Sequence, residues 1–214
     1  KQQALRSRLR PRRQYNFFAL VSVMSGNDYI KLPRLYVDHE LAEHTAFSFS
    51  ADQAHYLRHV MRRGNGDKVR LFNGKDGEWL AVLTMQGKKD VLANLASRLL
   101  PQPATGDEIR LFFTPIKKAR LDFLIEKAAE LGATRLSPVL TRYTDVRDIN
   151  ESRVRHQIIE ACEQCERLDI PALDPLIKLE DMDMGAIPLC TCLERTDARP
   201  LSSVLKPGPA AFLI

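Results

Sequence analysis

The residues best placed to do chemistry in this chain are basic. His55, Arg58, His59, Arg62 and Arg63 fall between Gln53 and Gly66 with no acidic residue among them. At 100° per residue they converge on one side of a helix, opposite Ala54, Leu57, Val60 and Met61. Three guanidiniums and two imidazoles on one stripe suit a run of phosphates. A second group, Lys117-Lys118-Ala119-Arg120, lies between an apolar strand-like run and a helical one. In an open α/β sheet that place is a carboxyl-end loop, where ligands gather.

Other chemistry is missing its signatures. There is no G-x-G-x-x-G after a strand, no P-loop and no H-E-x-x-H, so the usual dinucleotide, nucleotide and zinc-hydrolase readings are not supported. The four cysteines, Cys162, Cys165, Cys190 and Cys192, lack convincing zinc spacing. Cys162 and Cys165 continue the stripe Val154, Ile158, Ala161, and Cys190 and Cys192 alternate along a strand-like run. Reduced, buried thiols in a cytoplasmic protein, with no metal, are the expectation.

The elements that must carry the basic groups fall into two styles. Arg34–Val37 reads as a strand, and Ser50-Ala51-Asp52-Gln53 as a capping box opening a helix to about Arg63, stopped by Gly64-Asn65-Gly66. Three strand-like runs follow at 68–72, 79–85 and 91–95, divided by turns such as Asn73-Gly74-Lys75-Asp76-Gly77. This predicts a small barrel-like β domain over 32–100, with a Pro-rich linker at 101–106. Beyond it the rhythm becomes strand, helix, strand. Strands are expected at 109–113, 136–140, 188–193 and 210–214. One helix should end at Gly132 and another should begin after Asn150. The strands at 189–193 and 211–214 should lie side by side and parallel, their carboxyl ends facing one cleft.

The 214-residue chain has a net charge of +5, but the excess is local. Residues 1–31 hold seven Lys or Arg against Asp28 alone, whereas 105–214 is net acidic, with 15 basic and 18 acidic groups. The overall charge is therefore weak support for a nucleic-acid partner, and the clusters must carry that case. Residues 1–31 read as a basic leader, with the functional start near Met24. No apolar run approaches the ~20 residues that cross a bilayer, so no membrane partner is expected.

Three segments resemble the RsmE family, the SPOUT-class uridine N3-methyltransferases of small-subunit ribosomal RNA. They are HYLRHVMRRGNGDKVRLFNGKDGEW (55–79), KKARLDFLIEKAAELGATRLSPV (117–139) and EACEQCERLDIP (160–171). The resemblance covers about residues 32–175 in order. It implies an α/β protein with an N-terminal PUA-like β-barrel domain. A trefoil-knotted parallel α/β domain of SPOUT type over 105–214 would follow, its C-terminal part lying past Ile214.

The implied activity is transfer of a methyl group from S-adenosyl-L-methionine to N3 of a uridine in 16S rRNA, naked or in the 30S subunit, by a homodimer. The RNA-binding candidates are Arg34, Arg58, Arg62, Arg63, Lys117, Lys118, Arg120 and Arg167. Leu193, Glu194, Leu213 and Ile214 are the cofactor-binding candidates, at the ends of the last two strands. Glu130, Glu163 and Gln164 match family motif positions without an assigned role, and no catalytic base is assigned. Glu166 departs from the pattern, standing where the family often has glycine. The family's Gly-Pro-Glu-Gly-Gly loop and Leu-Arg-x-Glu-Thr segment would follow Ile214, so residues 1–214 alone are expected to bind the cofactor poorly. The alternatives are another SPOUT-class methyltransferase, acting on tRNA or a ribose 2′-hydroxyl, and a non-catalytic RNA-binding protein.

Overall fold

The period-two alternation of strands 68–72 and 109–113 decides how the layers are built. In a computed structural model that describes residues 26–183, 185–192 and 197–214, each of these strands divides its side chains between two cores. Strand β3 (Lys68–Phe72) sends Val69 and Leu71 into one core, while Phe72 points into another. Strand β6 (Ile109–Phe113) likewise splits Phe112 from Phe113. This is the consequence of successive Cβ atoms pointing to opposite faces of a sheet.

By contacts the chain divides into Lys1–Leu32 and Pro33–Ile214. Of the first unit, a 3-10 turn spans Gly26–Lys31, closed by Leu32 N donating to Tyr29 O. The leader expected over 1–31 lies largely outside the described residues.

The second unit contains two sheets. The first has the order β1-β3-β4-β5-β2, with β1 at Arg34–Tyr36, β2 at Ala46–Ser48, β4 at Glu78–Gln86 and β5 at Asp90–Leu100. β1 runs parallel to β3, and the remaining pairs are antiparallel. Its core includes Leu35, Val37, Leu57, Leu71, Trp79, Leu83 and Leu95. Gly77 sits at φ +85° with the Leu100 carbonyl where a Cβ would be, 2.2 Å from it, so only glycine lets the start of β4 pass the end of β5. Strand β2 was not foreseen; its three residues are too few to show a period.

The second sheet has the order β10-β11-β6-β7-β8, with every pair parallel. Here β7 is Arg135–Leu140, β8 Ala172–Leu173, β10 Leu189–Thr191 and β11 Ala210–Leu213; β9 (Ile177–Lys178) pairs with the end of β7. Helices α2 (Lys118–Glu130) and α3 (Glu151–Gln164) cover one face through Leu121, Ile125, Ala128, Val154, Ile158 and Ala161. The expected caps are present. Asn150 accepts from Arg153 N at 2.9 Å. Gly132 (φ +93°) ends α2, with Gly132 N donating to Ala129 O and Ala133 N to Ala128 O, a Schellman arrangement. The parallel pairing of β10 with β11 is also as expected, Cys190 lying opposite Phe212.

The basic helix departs from expectation. It is α-helical only over α1 (Ala51–His55) and continues as a wider π turn over Tyr56–Val60, with Met61 N donating to Tyr56 O. The wider turn rotates later residues out of the 100° phase. Val60, expected in the apolar face, is 62% exposed, and Arg62 sits in the left-handed region at φ +53°.

Candidate RNA and cofactor surfaces

The structure separates the predicted basic residues into surface groups and structural groups. His55, His59 and Arg62 are exposed at the end of the first sheet, the two imidazole centroids 4.6 Å apart. Arg58 is half-buried, and its Nη2 reaches back to the carbonyls of Asp90 (2.7 Å), Gly87 (3.3 Å) and Gln86 (3.4 Å). It ties the helix to the β4–β5 turn, which sequence spacing cannot distinguish from a free surface cation. Arg63 is also partly buried.

Arg34 is a clear correction. Expected on the RNA surface, its side chain is only 3% exposed and pairs with Glu78, itself 1% exposed, at 2.5 Å. Its Nη1 and Nη2 donate to the carbonyls of Cys162 and Arg167, both at 2.8 Å, and the guanidinium lies 3.6 Å over the Phe72 ring. A cation at the carboxyl end of α3 complements the helix dipole and occupies free carbonyls. Arg70 joins the same cluster through Glu78 (3.5 Å) and Glu166 (2.8 Å).

Arg167 is corrected in the same way. Its side chain is 11% exposed, forms a two-point pair with Asp169, and donates to Ala129 O at 2.9 Å, at the carboxyl end of α2. Burial works to lower the Arg167 pKa, but the bond and charge of Asp169 prevail and raise it; the same bond lowers Asp169. Both arginines therefore clamp helix ends to the first sheet or to neighbouring chain, and neither is available to phosphate.

The motif-matched residues fall into place beside them. Glu163 accepts from Tyr36 N and Gln53 donates to Tyr36 O, both at 2.8 Å, so side chains close the outer edge of β1. Burial pushes the Glu163 carboxyl up, against the lowering pull of the Tyr36 N–H and of Arg34. Glu166 sits at φ +60°, a conformation glycine adopts without cost, and its pairing with Arg70 offsets the strain. Glu130, Glu163 and Gln164 line an open groove of about 900 Å³. With Asp52, Asp122, Glu126 and Glu160 also on its walls, the groove repels phosphate.

Two of the cysteines correct the expectation of buried thiols. Cys162 is buried, and burial pushes its thiol up to about 12, whereas Cys165 and Cys192 are exposed. Cys165 follows the last turn of α3 and has left the apolar phase. Among the described residues no group of three or more His, Cys, Asp or Glu is placed to hold a metal ion, and no helix is long and apolar enough to cross a membrane.

The second basic group is on the surface. Lys117, Lys118 and Arg120 are all exposed, Lys117 being the N-cap of α2 without a side-chain capping bond, and the first turn of α2 holds no acidic residue. Cations at the positive end of a helix are unfavourable unless an anion joins them, and the free N–H groups there also attract one. The parallel register brings the carboxyl ends of β10, β11, β6 and β7 to this same edge: Thr191 is opposite Leu213, Leu213 opposite Phe112, and Phe113 opposite Pro138. Leu213 is half-buried and Ile214 is 51% exposed there. The basic loop and an apolar lip therefore share one edge of the parallel sheet. Leu193 and Glu194, the other cofactor candidates, lie outside the described residues.

The structure thus defines a two-sheet α/β protein, in which a mixed β sheet bearing a basic helix is joined to a parallel sheet with a basic carboxyl edge. Comparison with known proteins narrows it. Residues 49–95 match the model of an RNA methyltransferase PUA domain, and residues 103–207 that of an RNA methyltransferase domain. Ribosomal RNA small subunit methyltransferase E from Rickettsia conorii is 35% identical over 153 residues, 71% of this chain and 62% of that protein. The Synechocystis protein of the same name is 28% identical over 195 residues, covering 87% and 63%. The crystal structure of the Neisseria gonorrhoeae enzyme of that name, bound to S-adenosyl methionine, superposes with a TM-score of 0.69 at 27% identity, covering 85% of this chain and 78% of that one. The chain is thus similar to ribosomal RNA small subunit methyltransferase E proteins in sequence and in fold. It spans a little under two thirds of the length of these curated relatives.

Proposed function

We propose that the protein is an S-adenosylmethionine-dependent methyltransferase acting on N3 of a uridine in 16S rRNA, as a homodimer and on RNA of the 30S subunit. The observation that carries the reading is the common edge on which exposed Lys117, Lys118 and Arg120 neighbour the apolar ends of β11 and β6. A cationic loop beside an apolar lip is what a phosphate chain and an adenosyl group require together.

The bound cofactor would supply a methyl group already activated by its sulfonium, so no metal or covalent enzyme nucleophile is needed. Transfer would join that carbon to N3 as the carbon–sulfur bond breaks with its electrons going to sulfur, and the N3 proton would pass to solvent water. What this chain contributes is placement. Lys117, Lys118 and Arg120 hold phosphates, Leu213 and Ile214 offer an apolar wall, and exposed His55, His59 and Arg62 extend the backbone track onto the β domain. Uracil N3 is on the pairing edge, so the target base must be unpaired or turned out of its stack.

The test is methyl transfer to small-subunit RNA and to 30S particles, followed by nucleoside analysis. Accumulation of 3-methyluridine supports the reading. A different methylated nucleoside would retain the class and overturn the position, and no transfer to any ribosomal RNA by the full-length protein would overturn the reading itself.

A further inference from the structure

The loop after β7 presents a side chain that the sequence motifs do not single out. Thr141 and Thr144 are tied across a tight turn: Thr144 N donates to Thr141 O at 3.3 Å, Thr141 N donates to Thr144 Oγ1 at 2.8 Å, and the hydroxyls lie 2.9 Å apart. Thr144 is buried. The clasp leaves Arg142 and Tyr143 at the two corners of the turn, both exposed. At 84%, Tyr143 is the most exposed large apolar side chain among the described residues, with the Arg142 guanidinium 5.5 Å from its ring centroid.

A single exposed aromatic is ordinary on a protein surface. Two observations set this one apart. The threonines that flank Arg142 and Tyr143 are tied to each other by three polar contacts, so the turn that carries the ring is held before any ligand arrives. Its place is the carboxyl end of β7, and the adjacent parallel strand β6 leads at the same edge into Lys117 and Lys118. Protein-binding hot spots surround an anchoring aromatic with further apolar contacts that exclude water. Here the neighbours are Arg142, Asp145 and Arg147, all exposed, with Val146 only partly so. A nucleobase asks for less, namely a π face and a nearby cation for the adjoining phosphate.

We propose that Tyr143 is a stacking platform for an unpaired base of the RNA, with Arg142 on the neighbouring phosphate. The inference rests on the RNA-methyltransferase reading above and adds the residue that holds a base at the edge where the cofactor would lie. Stacking is indifferent to base identity, so Tyr143 contributes placement rather than sequence choice.

The experiment compares the full chain with Tyr143→Ala, Tyr143→Trp and Arg142→Ala, measuring anisotropy of a short labelled oligouridine and of a blunt RNA duplex over a range of salt. Tyr143→Ala should weaken single-strand binding about tenfold and leave the duplex and the salt slope unchanged. Tyr143→Trp should retain affinity, and Arg142→Ala should flatten the single-strand slope by about 0.7 unit. Melting temperatures of the Tyr143 variants should match the parent's, since the ring is in water. If the parent binds RNA and Tyr143→Ala binds the oligouridine equally well, the platform is refuted and the broader reading survives. If Tyr143→Ala instead changes the sedimentation of the protein with RNA affinity intact, the ring belongs to a contact between copies and the platform is again refuted. A parent chain that binds neither RNA overturns both.

Discussion

Replacing Glu78 by Gln should do more damage than any other single amide-for-acid exchange in the described residues. Glu78 is 1% exposed and lies between two guanidiniums, 2.5 Å from Arg34 and 3.5 Å from Arg70, whose side chains are 3% and 5% exposed. The amide keeps the shape but removes the one fully buried carboxylate among the described residues. Arg70 retains Glu166, whose side chain is 51% exposed and so screened by water; Arg34 retains only carbonyls and the Phe72 face. Breaking a buried pair from one side typically costs about 3–5 kcal/mol, a large part of the roughly 5–15 kcal/mol that holds a domain folded. With a urea dependence near ~2 kcal/mol per molar, the midpoint should fall by about 2 M. Urea titration by circular dichroism at neutral pH measures this directly. A double-mutant cycle with Arg34→Met should return a coupling of about 1–3 kcal/mol. A cost below ~1 kcal/mol would mean that the cluster is wetted and behaves like a surface ion pair, and the account of how α3 is held against β1 would fail.

Three further outcomes follow from the site geometry. Changing Lys117, Lys118 and Arg120 together to Ala should flatten the salt dependence of single-strand RNA binding by about two units and leave the melting temperature unchanged, read by anisotropy and calorimetry. Arg58→Ala should lower stability by about 1–2 kcal/mol, seen as a drop of a few degrees in melting temperature, because Nη2 serves three carbonyls; Arg62→Ala should not lower it. Glu163→Gln should become progressively more stable relative to the parent as pH rises. The raised carboxyl pKa of Glu163 favours the folded state below the ordinary glutamate value near 4.5, and that advantage is lost as pH climbs through the folded value. Urea midpoints for both proteins at pH 4 and pH 7 check the sign, and a Gln variant that loses ground towards pH 7 would contradict it.

Elements and caps were legible in the sequence wherever a local rule suffices. Strands 68–72 and 109–113, the Asn150 cap and the Gly132 stop each depend on a few consecutive residues, through period-two alternation, a side-chain acceptor for the first free N–H groups, and a left-handed turn. The order of strand and helix from 109 onward likewise implied a parallel sheet and its carboxyl edge. The tertiary structure decided which cations are surface. Arg34 and Arg167 differ from Lys117 and Lys118 by what lies more than a hundred residues away or on another helix: Cys162 O for Arg34, Ala129 O for Arg167. A side chain's charge is written in the sequence, but its desolvation is set by neighbours brought in from elsewhere. The same holds for Tyr143. One aromatic in a polar loop carries no periodic signal, and only the threonine clasp and the parallel register of β6 with β7 place it at the shared edge.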